Sequence, residues 1–194
     1  MSAIIETVTG KFVDIENPNR DDINLVDIAW ALSRISRFAG HTITPIPYTV
    51  AQHSVLVARM CYEETRSADL AMLGQLHDAA EIYTGDIPSP VKRIHGLKEQ
   101  IDIIEGKLLD VIFDKFVYRT PTKEEWVTIK HFDKKACQIE SYAFMISRGL
   151  APSWNNNLKI DLLDHYLFES PKTALDSYKD FIKQFDFYTL ESMR

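Results

Sequence analysis

Leu76-His77-Asp78-Ala79-Ala80-Glu81-Ile82-Tyr83-Thr84-Gly85-Asp86-Ile87-Pro88-Ser89-Pro90 decides how this chain is read. An adjacent His-Asp pair sits in an apolar run, two more carboxylates follow, and a double-proline turn closes the stretch. Imidazole and carboxylate are costly to bury unless something pairs with them. A divalent metal serves both at once, so this stretch, if buried, reads as half of a metal site.

Working outward, residues 67–84 read as one helix, apolar on nearly every side and therefore central. Gly85 stops it, and Pro88 and Pro90 keep the chain from resuming at once. Upstream, Leu25, Ile28, Leu32 and Ile35 give helical spacing from Asn24 to about Phe38. Gly40, Pro45 and Pro47 enforce an irregular connection to a second helix over residues 49–63, where Val50, His53, Val57 and Met60 share one stripe. Residues 4–15 read as extended, with Gly10 at the turn of a short hairpin, and residues 17–22 as a loop. Downstream, helices are expected over about 97–116 and from a Thr120 or Thr122 N-cap to about residue 147, with Glu124 and Glu125 in the first turn. A loop over 149–157 and a last helix from Pro171 to about Phe185 complete the chain. No internal repeat, low-complexity tract or linker breaks it. The expected fold class is all-α, one domain over residues 1–194 with a short N-terminal hairpin.

The bulk composition agrees. With 194 residues, 45% of them hydrophobic and 26% charged, the chain is long enough for one domain with a sizeable core. No apolar run is long enough to span a membrane, and the N-terminus lacks the basic start and apolar run of a signal peptide. Cys61 and Cys137 lie far apart among apolar neighbours, as reduced core thiols of a cytoplasmic protein would. The net charge of −6 argues against general nucleic-acid binding but leaves room for a small anionic substrate met by a local cluster of Lys and Arg.

Three places on these helices put polar groups on apolar stripes: His53, His77 with Asp78, and Asp133, whose face carries Trp126, Ile129, Ala136 and Cys137. One such histidine is ordinarily a hydrogen-bonded core residue. An inward aspartate is rarer, because an unpaired buried carboxylate is costly. Three helices each turning such a group inward are better explained jointly. Two imidazoles and two carboxylates suit a six-coordinate divalent ion with positions left for water, and the mixed N/O set admits Mn, Fe, Co, Ni, Zn or Mg.

The order His … His-Asp … Asp resembles the HD superfamily of metal-dependent phosphohydrolases. The block Tyr48-Thr49-Val50-Ala51-Gln52-His53-Ser54-Val55 is similar to the one around that family's first metal histidine. Residues 77–92 closely resemble the HD block of bacterial 5′-deoxynucleotidases, and also that of small phage HD enzymes that hydrolyse deoxynucleoside triphosphates. Residues 27–42 resemble a set of small bacterial and phage HD proteins, and the resemblance covers about residues 24–145.

The resemblance implies an HD-domain helical bundle and an enzyme acting on deoxynucleotides. It implies His53, His77, Asp78 and Asp133 as ligands of one divalent metal, although Phe132 stands where a small residue usually precedes the last aspartate. Glu81 and Asp86 are then the catalytic carboxylates that position water and handle protons. Arg37 resembles the family's phosphate- or sugar-contacting arginine; Arg34 and Lys92 are further substrate-side cations, and Phe38 stands where the 5′-deoxynucleotidases carry tryptophan. His41 is expected either to meet a phosphate or to cap its loop, and Ser54 to lie on the helix surface or behind the metal ligands. His95, His131 and His165 carry no motif. The leading substrate is a deoxynucleoside monophosphate that loses its 5′-phosphate. A triphosphohydrolase acting on, for example, dATP stays open beside it, as does a non-catalytic nucleotide-binding module. A homo-oligomer, a dimer, is the assembly the resemblance suggests.

Overall fold

A computed structural model describes residues 3–94, 96–150 and 170–194. Strands β1 (Ile4–Glu6) and β2 (Phe12–Asp14) pair antiparallel, with Ile5 opposite Val13. Gly10 supplies the φ of +77° that the hairpin turn needs. A 3₁₀ turn (Arg20–Asp22) leads to α1 (Leu25–Leu32), and a second short turn (Arg37–Gly40) precedes α2 (Val50–Thr65). Then come α3 (Ala68–Gln75), α4 (Glu81–Thr84), α5 (Ser89–Lys92), α6 (Leu97–Val117), α7 (Lys123–Phe144) and α8 (Ala174–Ser192). The all-α class and the N-terminal hairpin are as the sequence led us to expect.

Helix α2 is the hub. It packs against α1, α3, α7 and α8, and it buries Val50, Ala51, Val57, Ala58, Met60 and Cys61 together with His53. Side-chain caps fix where the helices begin. Asn24 accepts from Val26 N–H at 2.8 Å, Thr49 from Gln52 N–H at 3.3 Å, and Ser67 from Leu70 N–H at 3.1 Å. Thr122 and Glu125 form a reciprocal capping box at α7, which selects Thr122 over Thr120. The hairpin is latched to α1 through buried Asp27, which accepts from Thr7 Oγ1, Thr9 N and Thr9 Oγ1 at 2.9, 2.9 and 2.6 Å.

Several helix ends differ from expectation, each for a stated reason. The helix expected to reach Phe38 stops at Leu32, because the following backbone pairs elsewhere: Val50 N–H donates to Ile35 C=O at 3.0 Å and Arg37 N–H to Tyr48 C=O at 2.9 Å. Residues 67–84 are not one helix. After Gln75 the chain tightens into turns, with Ala79 N–H on Leu76 C=O at 2.9 Å and Glu81 N–H on Asp78 C=O at 3.0 Å. His77 Nδ1 takes the Gly74 carbonyl at 2.7 Å, an acceptor that a continuing helix would give to its own backbone. The chain resumes at once after Pro88, since Pro90 falls in the first turn of α5, where no N–H is needed. Helix α7 ends at Phe144, whose carbonyl accepts from Ile43 N–H at 2.9 Å. Helix α8 runs past Phe185 to Ser192, burying Tyr188.

The loop expected over 149–157 lies, beyond residue 150, outside the described residues, as do His95 and His165. Cys61 and Cys137 are free thiols. No helix among the described residues is long and apolar enough to cross a membrane.

One close approach sets the spacing of α2 and α3. A Cβ built on Gly74 would lie 2.9 Å from Cys61 Sγ and 3.6 Å from Val57 Cγ1. Gly74→Ala gains about 1 kcal/mol of helix propensity, but overpacking costs about 1–3 kcal/mol. The expected net result is a lower melting temperature that Cys61→Ala on the same chain restores; a Gly74→Ala protein melting at or above wild type would contradict the close-approach argument.

Candidate metal centre

His53 lies in the first turns of α2, just after its Thr49 cap. His77 and Asp78 occupy the tight turn after α3, and Asp133 lies midway along α7. The three elements bring one ligand atom from each of these four residues to within 4.8 Å of one another. His53 Nε2 is 3.2 Å from Asp133 Oδ1 and 3.6 Å from Asp78 Oδ2. His77 Nε2 is 3.1 Å from Asp78 Oδ1 and 3.8 Å from Asp133 Oδ1. Both imidazoles are buried, whereas the Asp78 and Asp133 side chains keep 14% and 25% of their exposure, so the cluster opens to solvent on its carboxylate side.

The far nitrogen of each ring is already held. His77 Nδ1 donates to the Gly74 carbonyl, which can only accept. His53 Nδ1 lies 2.7 Å from Oε1 of Glu140, a side chain 1% exposed. Burial alone would raise the Glu140 pKa, but His53 and Arg37 outweigh it and hold the carboxyl below its ordinary value, so His53 is the donor. Both Nε2 atoms then face the cluster, and both are buried without a hydrogen-bond partner. Two orphaned imidazole nitrogens and two carboxylates are a fit donor set for a divalent ion.

The groups of the cluster also shift one another's charge. Burial and Arg37 oppose charge on His53, yet Glu140 and Asp133 outweigh them and raise its pKa to about 9. His77 is raised as well, against the cost of burial, by Asp78 and Asp133. Burial would raise Asp78 and Asp133, but His77 and Lys130, joined at Asp133 by His53, pull both far below the usual carboxylate range. Glu81 behaves in the opposite way. Burial, then Asp78 and Asp86, push it up to about 10, and its Oε2 has no hydrogen-bond partner. Burial and Asp78 also raise Asp86, which faces Arg37 and His53.

The residues expected on the substrate side divide. Arg37 is buried at the cluster, with Nε donating to Glu140 Oε2 at 3.1 Å and Nη1 at 3.8 Å from Asp78 Oδ2. Its guanidinium lies 5.7 Å from the Phe38 ring centroid. Arg34 is turned to its own helix: its guanidinium lies 3.5 Å from the Trp30 ring, and Nη1 donates to Trp30 C=O and Ser33 Oγ at 2.8 Å. Lys92 donates to both oxygens of Glu105 at 3.2 Å. Arg37 therefore sits in the end-of-helix turn but inside the molecule, and Ser54 is buried rather than on a helix surface. His41 is exposed, with its N–H on Phe38 C=O at 3.0 Å.

Sequence reasoning missed two residues. Glu140 is seven positions after Asp133, two turns along the Ile129–Ala136 stripe, and that spacing was a usable signal. Lys130, one turn before Asp133, places Nζ 3.2 Å from Asp133 Oδ2.

No protein-family model matches the chain. An uncharacterized protein of Escherichia coli, YfdR, is 39% identical over 125 residues, 62% of this chain and 65% of that protein. An uncharacterized protein of Rhodobacter capsulatus is 36% identical over 93 residues, 46% of each. The chain thus spans less than two thirds of the length of these two relatives. A 5′-deoxynucleotidase of Shewanella oneidensis is 29% identical over 141 residues, 68% of this chain and 72% of that enzyme. Among solved structures, the cyanophage S-2L HD phosphohydrolase DatZ, bound to dA and one catalytic Zn²⁺ ion, superposes with a TM-score of 0.50 at 22% identity, covering 82% of this chain and 93% of that one.

The chain has the HD-domain fold. In this HD domain the four converging residues could hold one metal ion. Ligand binding to the native state alone stabilises by about 2.7 kcal/mol at a hundred times Kd. Adding Zn²⁺ or Mn²⁺ to the metal-free protein is therefore expected to raise its melting temperature. His77→Ala and Asp133→Ala should lose both that shift and the metal found by elemental analysis. Full occupancy in either variant would remove that residue from the site.

Proposed function

We propose that this HD domain is a divalent-metal-dependent phosphohydrolase that removes the 5′-phosphate of deoxynucleoside monophosphates. The observation that carries the reading is the convergence of His53, His77, Asp78 and Asp133 beside two further carboxylates, Glu81 and Asp86. The similarity to a 5′-deoxynucleotidase supports the substrate class.

In this reading His53 and His77 offer Nε2, and Asp78 and Asp133 one oxygen each, to Mn, Fe, Co, Ni, Zn or Mg. A divalent ion held there would lower the pKa of a water and polarise a phosphoryl oxygen. The residues supply the rest. Glu81, with Oε2 unpaired, accepts a hydrogen bond from the attacking water. Its carboxylate, beside Asp78 and Asp86, would take the water's proton. Asp86, held toward its protonated form, gives a proton to the leaving 5′-oxygen. Arg37 and Lys130, both against the cluster carboxylates, neutralise the phosphate.

Among the described cations, Arg37 and Lys130 meet the cluster carboxylates, Arg34 is stacked on Trp30 and Lys92 pairs with Glu105.

Product analysis across all deoxynucleoside mono- and triphosphates tests the reading. Orthophosphate and deoxynucleoside from the monophosphates are expected. Triphosphate released from the triphosphates would install the second substrate class, and no product from any nucleotide would reject the enzyme. Glu81→Gln should keep its metal and lose roughly 10²–10⁴-fold in turnover, the usual size of a general-base contribution; an unchanged rate removes Glu81 from the chemistry.

A further inference from the structure

We propose that Glu140 is a positioning residue that fixes the tautomer of His53 and anchors Arg37 with a single carboxylate. The inference deepens the phosphohydrolase reading and rests on it. Glu140 is 1% exposed; Oε1 lies 2.7 Å from His53 Nδ1, and Oε2 lies 3.1 Å from Arg37 Nε. One buried side chain therefore ties a metal-facing imidazole on α2 to the guanidinium of the turn before it, whose Nη1 approaches Asp78 Oδ2 at 3.8 Å.

The chemistry is restrictive. An ionised carboxylate only accepts hydrogen bonds, so both neighbours must donate to it. His53 then carries its proton on Nδ1, and Nε2 is left to face the cluster. Arg37 cannot rotate away without stranding a buried charge. The two histidines differ in this respect. His77 is oriented by a backbone carbonyl, that of Gly74, which no side-chain substitution removes. His53 depends on a side chain.

An amide has one acceptor and one donor end, so Glu140→Gln keeps the shape and must fail one neighbour. With its oxygen toward His53, its NH₂ opposes Arg37 Nε–H. Turned round, it forces the His53 proton onto Nε2. Glu140→Leu fails both, and because it strands Arg37 in the interior, Glu140→Gln is the variant that keeps the test valid if the leucine protein does not fold.

Three readouts are taken on full-length protein: Co²⁺ affinity from its visible spectrum, the ¹⁵N signature of His53 in Zn²⁺-loaded protein, and kcat and KM for a deoxynucleoside monophosphate. Wild type should show the Nδ1–H form. Glu140→Leu should lose about 10–100-fold in Co²⁺ affinity, the usual cost of removing an outer partner of a ligating histidine. Glu140→Gln should lose at least tenfold in either Co²⁺ affinity or KM while melting within a few degrees of wild type. If KM is what changes, adding Glu140→Gln to Arg37→Ala should have no further effect. Wild-type Co²⁺ affinity, His53 signature and KM in Glu140→Gln would overturn the inference and leave the metal reading standing. A wild-type protein that takes up no Co²⁺ overturns both.

Discussion

The structure is organised around a cluster of buried ionisable groups that set one another's charge. Asp78, Asp133 and Glu140 are held ionised, Glu81 and Asp86 are pushed toward their protonated forms, and Arg37, Lys130 and the two raised imidazoles of His53 and His77 stand against the carboxylates. Isolated buried carboxylates would destabilise the fold by several kcal/mol each. The protein divides the problem by position. Glu140, deepest, is neutralised permanently by Arg37 and a histidine N–H. Asp78 and Asp133, at the opening, face two nitrogens that have nothing else to bind. Glu81, between them, is pushed toward protonation. His53, His77, Asp78 and Asp133 would hold a divalent cation at this opening, with the Glu140–Arg37 pair behind them.

This arrangement needs rigid walls, and the fold supplies them through close packing rather than through the polar groups. Helices α2 and α3 approach closely at Gly74, where an added methyl would force Cys61 Sγ to shift. The same Gly74 lends its carbonyl to His77. One residue thus sets both the distance between the two imidazole-bearing segments and the rotation of one ring. The rings end with centroids 5.3 Å apart, close enough for their Nε2 atoms to serve one ion.

What was legible in the sequence follows from what periodicity and caps encode. Caps are local, so Asn24, Thr49, Ser67 and Thr122 mark true helix starts. The apolar stripes through His53 and Asp133 report a face, and both faces turn inward. Helix ends were less legible, because they depend on partners far along the chain. Nothing near Ile35 announces that its carbonyl will accept from Val50, nor anything near Phe144 that it will accept from Ile43. The break after Gln75 is hidden for another reason: the run from Ala68 to Tyr83 is so apolar that a turn and a helix give the same pattern. Of the cations, Arg37 is inside and Arg34 outside, although the two lie one helical turn apart in sequence. Helical spacing treats them as alike because it assumes the helix continues.

The turn directly after Arg37 is strained. Phe38 and Ala39 have φ of +55° and +51°, and Gly40 +77°. A left-handed conformation costs a non-glycine residue roughly 1–2 kcal/mol, so a flexible loop would not hold it. It is held from both sides. Ser36 is bridged to Thr49, Arg37 N–H bonds to Tyr48 C=O, and His41 N–H bonds back to Phe38 C=O. The Arg37 side chain is fastened to Glu140 from within. The chain has already left α1 at Ser33, and the left-handed residues directly after Arg37 lie between that exit and the Thr49 cap that starts α2. The strained turn and the buried Arg37–Glu140 pair thus adjoin: backbone bonds on either side hold the turn, and Glu140 holds the side chain that precedes it.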